Sequence, residues 1–422
     1  MRAADLALQR DKYRHLSDDE WRWFLQQVEG HERTADKLPT FAAIDDWWYP
    51  VRLSCEQCSS EQTARYKASL VSGEKAVDLT GGYGVDSYFL SETFAHIDYV
   101  EQNAELCRIA THNFGLPTPT LPKGKEISVH CCTAEEFLSS LSGEAGRGYD
   151  LIFLDPARRD SHGGKVFRLE DCTPNAVALL PTLLTHSKQI LLKLSPMLDL
   201  TQAVKSLSQV TWDIHVVAVK NEVKEVLLLS RGSGQITAID LAKKDQAFIF
   251  TREEEVNSEA VLQAKPVIQC NGLTGKAGQE KHPLFLYEPN AAILKAGAYK
   301  LIVQRFGLQK LDVNTHLYIS DQLVSNFPGR VWQIERVIKD RKDLPADLTQ
   351  ANILTRNYPL TPDQLKKKLH LRDGGTAFII GCRINGKPCI YKTKPVHTVH
   401  TAACEPDKRN GHAVAASGAP SE

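Results

Sequence analysis

The spacing of apolar positions changes rhythm along the chain. Between residues 16 and 70 it is helical. Trp21, Phe24, Leu25 and Val28 fall on one face behind a Ser17-Asp18-Asp19-Glu20 start, which predicts a helix over Leu16–Val28. A second helix is expected from Ser59, with Ser59 as N-cap and Gln62 three residues on in the capping-box arrangement. It runs through Ala64, Tyr66 and Leu70 and ends at Gly73. From Lys75 onward, short apolar runs alternate with helical segments. Strands are expected at 76–79, 97–100, 127–130, 149–154 and 189–193, and a closing pair at 214–219 and 226–229. Such alternation implies a mainly parallel, doubly wound α/β sheet covered on both faces. The short turn at Lys220-Asn221-Glu222 predicts an antiparallel hairpin at its end.

Beyond Arg231 the texture becomes α+β. Strand-like 236–241 and 247–251 precede a Gly/Lys/Gln-rich loop at 271–281 and a compact stretch, 284–338. A last module carries a strand at 351–354, a helix at 361–369, Gly374-Gly375 and a strand at 376–380. The expected organisation is a helical segment (1–70), an α/β domain (71–235), two α+β modules (236–338 and 339–395) and a disordered tail (396–422).

With 42% hydrophobic and 24% charged residues in a chain of 422, the composition is that of a globular protein of several domains. Net charge is zero, but between Arg341 and Lys394 eleven Lys or Arg face four Asp, a local net of +7. That is a candidate footprint for a polyanion, or a solvated face. There is no apolar leader at the N-terminus and no long apolar run, and ten Cys are too few for a disulfide scaffold, so a cytosolic protein with reduced thiols is expected. Cys55 and Cys58 form a C-x-x-C without a second pair at zinc spacing; two buried thiols, and no metal, are expected.

The segment Val77-Asp78-Leu79-Thr80-Gly81-Gly82-Tyr83-Gly84-Val85-Asp86 ends a strand, turns tightly and starts a helix. Its glycines do not fit the G-x-G-x-x-G of a dinucleotide turn. They resemble the D-x-x-x-G-x-G turn of class I methyltransferases. That likeness implies S-adenosylmethionine, with Asp78 toward the ammonium and the amides around Thr80, Gly81, Gly82 and Gly84 toward the carboxylate. An acid at the tip of the next strand is then required to accept both ribose hydroxyls, and Glu101 stands there. At the third strand end Thr133, or Cys132, replaces the Asp that often meets the adenine amine, and the backbone of Ala134 is placed to read the ring edge.

The fourth strand ends at Leu154-Asp155-Pro156-Ala157-Arg158, where open α/β sheets bind ligands. Amino-methyltransferases carry Asp/Asn-Pro-Pro-aromatic at this position. Here Pro156 is kept, and Arg158 replaces the aromatic ring as the group that stacks on a base. Asp155, Pro156 and Arg158 are the candidate catalytic residues, with Asp155 also against the cofactor; the alternative for Asp155 is a strand-end cap. The following loop is glycine-bearing and basic, and Arg159, Lys165 and Arg168 are candidate substrate contacts. Cys172, the one nearby thiol, heads an apolar stretch and is expected to be packed, which favours nitrogen or oxygen over carbon as methyl acceptor.

Together these residues resemble class I methyltransferases, and the glycine turn is similar to that of ribosomal RNA guanine-N2 methyltransferases. The whole chain up to the tail resembles Bacteroidetes methyltransferases with a THUMP-like C-terminal module. Residues 57–68, Tyr287-Glu288-Pro289-Asn290-Ala291-Ala292-Ile293 and Arg356-Asn357-Tyr358-Pro359 carry that likeness. It implies a Rossmann-like catalytic domain, a ferredoxin-like middle module and an RNA substrate, tRNA or rRNA, since THUMP domains are RNA-binding modules of tRNA-modifying enzymes. Lys366, Lys367 and Lys368 become candidate phosphate contacts. Arg65, Tyr66 and Lys67 are candidate cofactor contacts, with core or surface positions as the alternative. Two other readings stay open: a methyltransferase for a small molecule or protein, and a non-catalytic RNA-binding protein that retains the cofactor fold.

Overall fold

The computed structural model describes residues 3–116, 125–141, 148–157, 168–258 and 283–396. The expected loop at 271–281 and the tail from 397 lie outside the described residues. The chain divides into two compact units, residues 1–264 with 288–318, and residues 265–287 with 319–422.

In the first unit, Ser17 caps a helix, Asp18–Thr34, through a reciprocal capping box with Glu20. The next expected cap is displaced by one residue. Ser60, not Ser59, accepts from Thr63 N–H and opens the helix Glu61–Ser69. The hydroxyl of Ser59 is used elsewhere: it donates to Asp86 Oδ2 at 2.7 Å.

Among the described residues nine strands form one sheet. They are β1 (Gly73–Asp78), β2 (Phe94–Glu101), β3 (Glu126–Cys131), β4 (Tyr149–Leu154), β5 (Ser187–Leu194), β6 (Trp212–Val219), β7 (Glu222–Ser230), β8 (Gln235–Asp240) and β9 (Phe248–Thr251). Their order is β3-β2-β1-β4-β5-β7-β6-β8-β9. Strands β1 to β5 run parallel, and β7 is inserted antiparallel between β5 and β6. The β6–β7 hairpin closes through two residues, Lys220 and Asn221, both left-handed (φ 52° and 63°), as a tight right-twisted hairpin requires. The change of texture after Arg231 places β8 and β9 in the next module. They instead extend this sheet, because β8 finds the open edge of β6 and pairs with it in parallel.

One face of the sheet buries Val71, Ala76, Leu90, Phe94, Leu151 and Leu191. On the other side of the helix Val85–Leu90, the N-terminal segment contributes Leu38, Phe41, Trp47 and Tyr49 to a cluster with Tyr83, Tyr88 and Phe89. At about 1.5–3 kcal/mol for each large buried side chain, this aromatic cluster fixes the N-terminal helices to the sheet as part of one core.

Three further strands are β10 (Leu284–Pro289), β11 (Gln309–Asp312) and β12 (Thr315–Ser320); in the second unit β13 (Gly329–Ile338), β16 (Lys387–Pro395), β15 (Phe378–Ile384) and β14 (Asn352–Arg356) pair in that order. In the second unit, the helix Pro362–Lys368 crosses between parallel strands β14 and β15 and buries Leu365 and Leu369 against Ile338, Ile379 and Ile390. Gly374 and Gly375 precede β15 at φ 110° and 75°. Among the described residues no helix is long and apolar enough to cross a membrane.

Candidate active site

The carboxyl ends of β1 to β5 surround an open cleft of about 300 Å³. Thr80, Gly81, Gly82, Glu101, Thr133, Ala134 and Asp155 all line it, joined by Ser59, Asp86 and Lys193. The glycine turn is built for close approach at one position. A Cβ on Gly82, at φ 55°, would meet nothing nearer than Thr80 O at 3.7 Å, so the space above it belongs to the cleft. Gly81 is small for a different reason. A Cβ there would lie 2.1 Å from the Tyr99 ring, and Tyr99 OH donates to Gly82 O at 2.6 Å.

Hydrogen bonds hold this rim in register. Gly82 N–H donates to Glu101 Oε2 at 2.9 Å and Asn103 N–H to Oε1 at 2.8 Å. Each carboxylate oxygen keeps a second lone pair, so Glu101 is oriented without being saturated. Asp155 N–H donates to Thr80 Oγ1 at 2.7 Å, tying the end of β4 to the turn after β1. Thr133 caps the helix Ala134–Ser140 in a capping box with Glu136, and both Thr133 and Ala134 face the cleft beside Cys132 and Glu135.

Asp78 is placed differently from the expectation. It is 1% exposed, lies beneath the turn and is not part of the cleft lining. Ser87 Oγ donates to its Oδ2 at 2.6 Å and Thr80 N–H to its Oδ1 at 3.0 Å. Burial pushes its carboxyl up from the ordinary 3.8 to about 7, against the opposing Ser87 bond. The sequence spacing locates the turn, but not the side of the backbone on which this carboxyl falls.

The charged floor of the cleft has no counterpart among the motifs of the sequence. Lys193 Nζ lies 2.6 Å from Asp155 Oδ2 and 3.6 Å from Asp86 Oδ2. Asp86 lies 3.2 Å from Nζ of Lys67, itself 1% exposed, and Lys67 donates to both oxygens of Glu225 at 2.7 and 2.8 Å. Burial alone would depress the Lys193 ammonium; Asp155 and Asp86 outweigh it and hold the group protonated. Burial would likewise raise the Asp86 carboxyl, and the two lysines hold it low instead. A weaker signal is present in the chain: Lys193 interrupts the apolar run of β5, and Glu225 directly precedes the Val-Leu-Leu-Leu of β7. A charge inside a buried strand needs a partner.

Other candidates fall elsewhere. Pro156 follows Asp155, and Ala157 exchanges backbone hydrogen bonds with Thr173, which brings Thr173 and Pro174 to the cleft wall. Arg158, Arg159 and Lys165 lie outside the described residues. Arg168 is exposed and not among the lining residues. Cys172 is packed, 3% exposed. Arg65, Tyr66 and Lys67 do not reach this cleft. Arg65 pairs with Glu61 and Glu92, Tyr66 OH shares a hydrogen bond with His215 Nδ1 at 2.8 Å, and Lys67 is in the buried network. The thiols of Cys55 and Cys58 donate to backbone carbonyls, and burial pushes Cys55 up to about 12. Among the described residues no group of three or more His, Cys, Asp or Glu is arranged to hold a metal ion. In the second unit Lys366 is held by Asp373 at 2.6 Å and Asp363 at 2.9 Å. Lys367 and Lys368 follow it in the last turn of the same helix.

A cleft at the carboxyl ends of a β3-β2-β1-β4-β5-β7-β6 sheet, opened by a glycine turn and bordered by an acid after β2, defines an S-adenosylmethionine-dependent methyltransferase. Comparison with known proteins agrees. The chain is 32% identical to a protein of Porphyromonas gingivalis W83 designated a methyltransferase, whose crystal structure matches with a TM-score of 0.75 over 90% of this chain and 92% of that one. It is 22% identical, over 88% of its length and 95% of theirs, to two Mycobacterium tuberculosis proteins described as uncharacterized S-adenosylmethionine-dependent methyltransferases. Residues 285–328 match a ferredoxin-like domain and 329–395 a THUMP domain-like family. The chain belongs to the family of S-adenosylmethionine-dependent methyltransferases that carry ferredoxin-like and THUMP-like domains, the family of the Porphyromonas protein.

Proposed function

We propose that the protein transfers a methyl group to a nitrogen of an RNA base, in tRNA or rRNA, from a cofactor lying across the cleft between Glu101 and Asp155. The observation that carries the reading is the open space over Gly82 with Glu101 hydrogen-bonded to its amide: a ribose seated there would give both hydroxyls to one prearranged carboxylate. Thr133 and Ala134 border the place of the adenine. Asp155, partly exposed and pinned through one oxygen by Lys193, keeps its other oxygen for the amino-acid end of the cofactor or for an N–H of the acceptor. Asp78 acts from below, as the buttress of the turn. The cofactor, when bound, supplies a methyl on a sulfonium, which is already a good leaving group. The chain therefore has to align the acceptor nitrogen and take up its proton, and alignment supplies most of the rate.

RNA as the substrate rests on two features: the THUMP domain-like match over 329–395 and the +7 balance between Arg341 and Lys394. A nitrogen acceptor is favoured because Asp155-Pro156 ends β4 while the Cys172 thiol is packed away from the cleft. The test uses the full-length protein with tritiated cofactor and bulk tRNA or rRNA from a strain lacking it, followed by nucleoside mass spectrometry. A new N-methylated nucleoside is expected; methylation of neither RNA, with label entering protein or small molecules instead, would refute the reading.

A further inference from the structure

A second cleft, about 750 Å³, adjoins the first. The two share Gln57, Cys58, Ser59 and Lys193, so the segment before the helix Glu61–Ser69 and the Lys193 ammonium form their common wall. The size is ample for a nucleotide, since ligand pockets run to about 300–1,000 Å³. No element of the cofactor reading uses this space.

Its wall is charged in an uneven way. The carboxylates are largely occupied. Glu225 is gripped by Lys67, Glu61 accepts from Thr40 N–H and Oγ and from Arg65, and Glu56 pairs with Arg52 and Arg33. Asp36 remains, on the outer wall. Two lining cations form no close ion pair with a carboxylate among the described residues. Lys37 Nζ donates to the carbonyls of Cys55 and Glu56 and lies near enough to the Cys58 thiol and the Glu56 carboxylate to act on both, and Lys220 is exposed with no side-chain partner among the described residues. Beside them Lys224 makes an open surface pair with Glu222, of small energetic value.

Lys220 also occupies an unfavourable backbone position. It is the first residue of the two-residue β6–β7 turn, left-handed, where Asn, Asp or Gly is normally used. Asn221, the second, anchors the turn. Its N–H donates to Asp240 Oδ2 at 2.6 Å, and its Oδ1 accepts from Ala291 N–H at 2.8 Å. A cation is thus held on an anchored turn at the mouth of a cleft whose floor is Lys193, the partner of Asp155. We infer that this second cleft receives the acceptor nucleotide, its base turned out of the RNA and directed past Lys193 toward Asp155, its phosphate held by Lys220 with Lys37 and Lys224. Extrusion of the target nucleotide is the general solution for chemistry on a base. The inference rests on the RNA reading above and adds the place where the nucleotide enters.

The test is the double variant Lys220→Asn/Lys224→Gln, in which asparagine suits the left-handed turn and the fold is kept. A second double variant, Lys12→Gln/Lys205→Gln, removes two exposed cations elsewhere on the same unit. S-Adenosylhomocysteine affinity is measured by calorimetry, RNA affinity across a salt series, and KM for RNA by label transfer. For Lys220→Asn/Lys224→Gln, the cofactor-product affinity should stay within twofold of wild type. KM for RNA should rise about tenfold, and the log–log salt slope should shrink by about 0.7 for each phosphate that is no longer neutralised; the control pair should leave KM unchanged. An unchanged KM and slope in the variant, with wild-type RNA methylation intact, overturns the nucleotide cleft alone. Loss of S-adenosylhomocysteine binding in the variant also overturns it, by making the hairpin a support of the first cleft. Wild-type protein that neither binds nor methylates RNA overturns the RNA reading and this inference together.

Discussion

Replacing Lys67 by Met tests the buried charge network most directly. Methionine nearly fills the volume but removes an ammonium that is 1% exposed, 2.7 and 2.8 Å from the Glu225 oxygens and 3.2 Å from Asp86 Oδ1. Two buried carboxylates then face Lys193 alone, which lies 3.6 Å from Asp86. Breaking a buried pair by removing one partner costs about 3–5 kcal/mol. In a domain of this size each kcal/mol is worth about 2–4 °C, so the unfolding midpoint should fall by roughly 6–20 °C. The cost depends on pH with a definite sign. In the wild type the Asp86 carboxyl is held below its ordinary value. Its contribution is therefore present above the unfolded value, about 3.9, and is lost as pH falls through the folded one. In the variant, burial without the cation pushes the Asp86 carboxyl up and that of Glu225, which burial already raises in the wild type, further up, so acidification returns them to neutrality. The destabilisation should be largest near pH 8 and smaller by about 1 kcal/mol or more near pH 5. Adding Glu225→Leu should recover at least about 2 kcal/mol in a double-mutant cycle. Denaturant unfolding of the four proteins at both pH values is the assay. A cost under about 1 kcal/mol at pH 8, or one that grows on acidification, would refute the picture of a paired, ionised network.

Further outcomes follow from the same geometry. Asp78→Asn should stabilise the ligand-free protein at pH 8 and leave it nearly unchanged at pH 4. The folded carboxyl sits near 7 rather than 3.8, and at about 1.4 kcal/mol per pH unit its ionisation caps the cost at about 4 kcal/mol; thermal melts at the two pH values decide it. Gly82→Val should leave the fold standing at a backbone cost of about 1–2 kcal/mol while abolishing S-adenosylhomocysteine binding, because its side chain enters the cleft; calorimetric binding within threefold of wild type would remove the cofactor from that space. Gly81→Ala should instead fail as a folding defect, since its Cβ lies 2.1 Å from Tyr99; circular dichroism and a melt distinguish the two glycines. Asp155→Ala should lose label transfer by about 100-fold or more, and retained turnover would refute its role.

Much of the catalytic domain is legible because its signals are local. Strand positions follow from short apolar runs, and the order Asp78, Gly82, Gly84, Glu101 follows from the chain geometry of a strand, a tight turn, a helix and the next strand. The turn at Lys220-Asn221 is readable from its length alone. Less legible are features set by distant neighbours. Ser59 looks like a helix cap, and loses that role to Ser60 because Asp86 takes its hydroxyl. Strands β8 and β9 look like the start of a new module, and join the first sheet because β6 offers an unpaired edge.

The amino-acid order by itself thus determined the doubly wound sheet, the position of the glycine turn and the acid after β2, because periodicity and turn chemistry act over a few residues. Only the tertiary structure decided which side of the turn Asp78 occupies and that Lys67 and Glu225 join Asp86, Lys193 and Asp155 of the cleft in one buried charge network. Those groups come from five separate elements brought together as the apolar core around them is buried; the pairing of residues as far apart in the chain as Lys67 and Glu225 offsets the cost of burying their charges, and no local pattern encodes it.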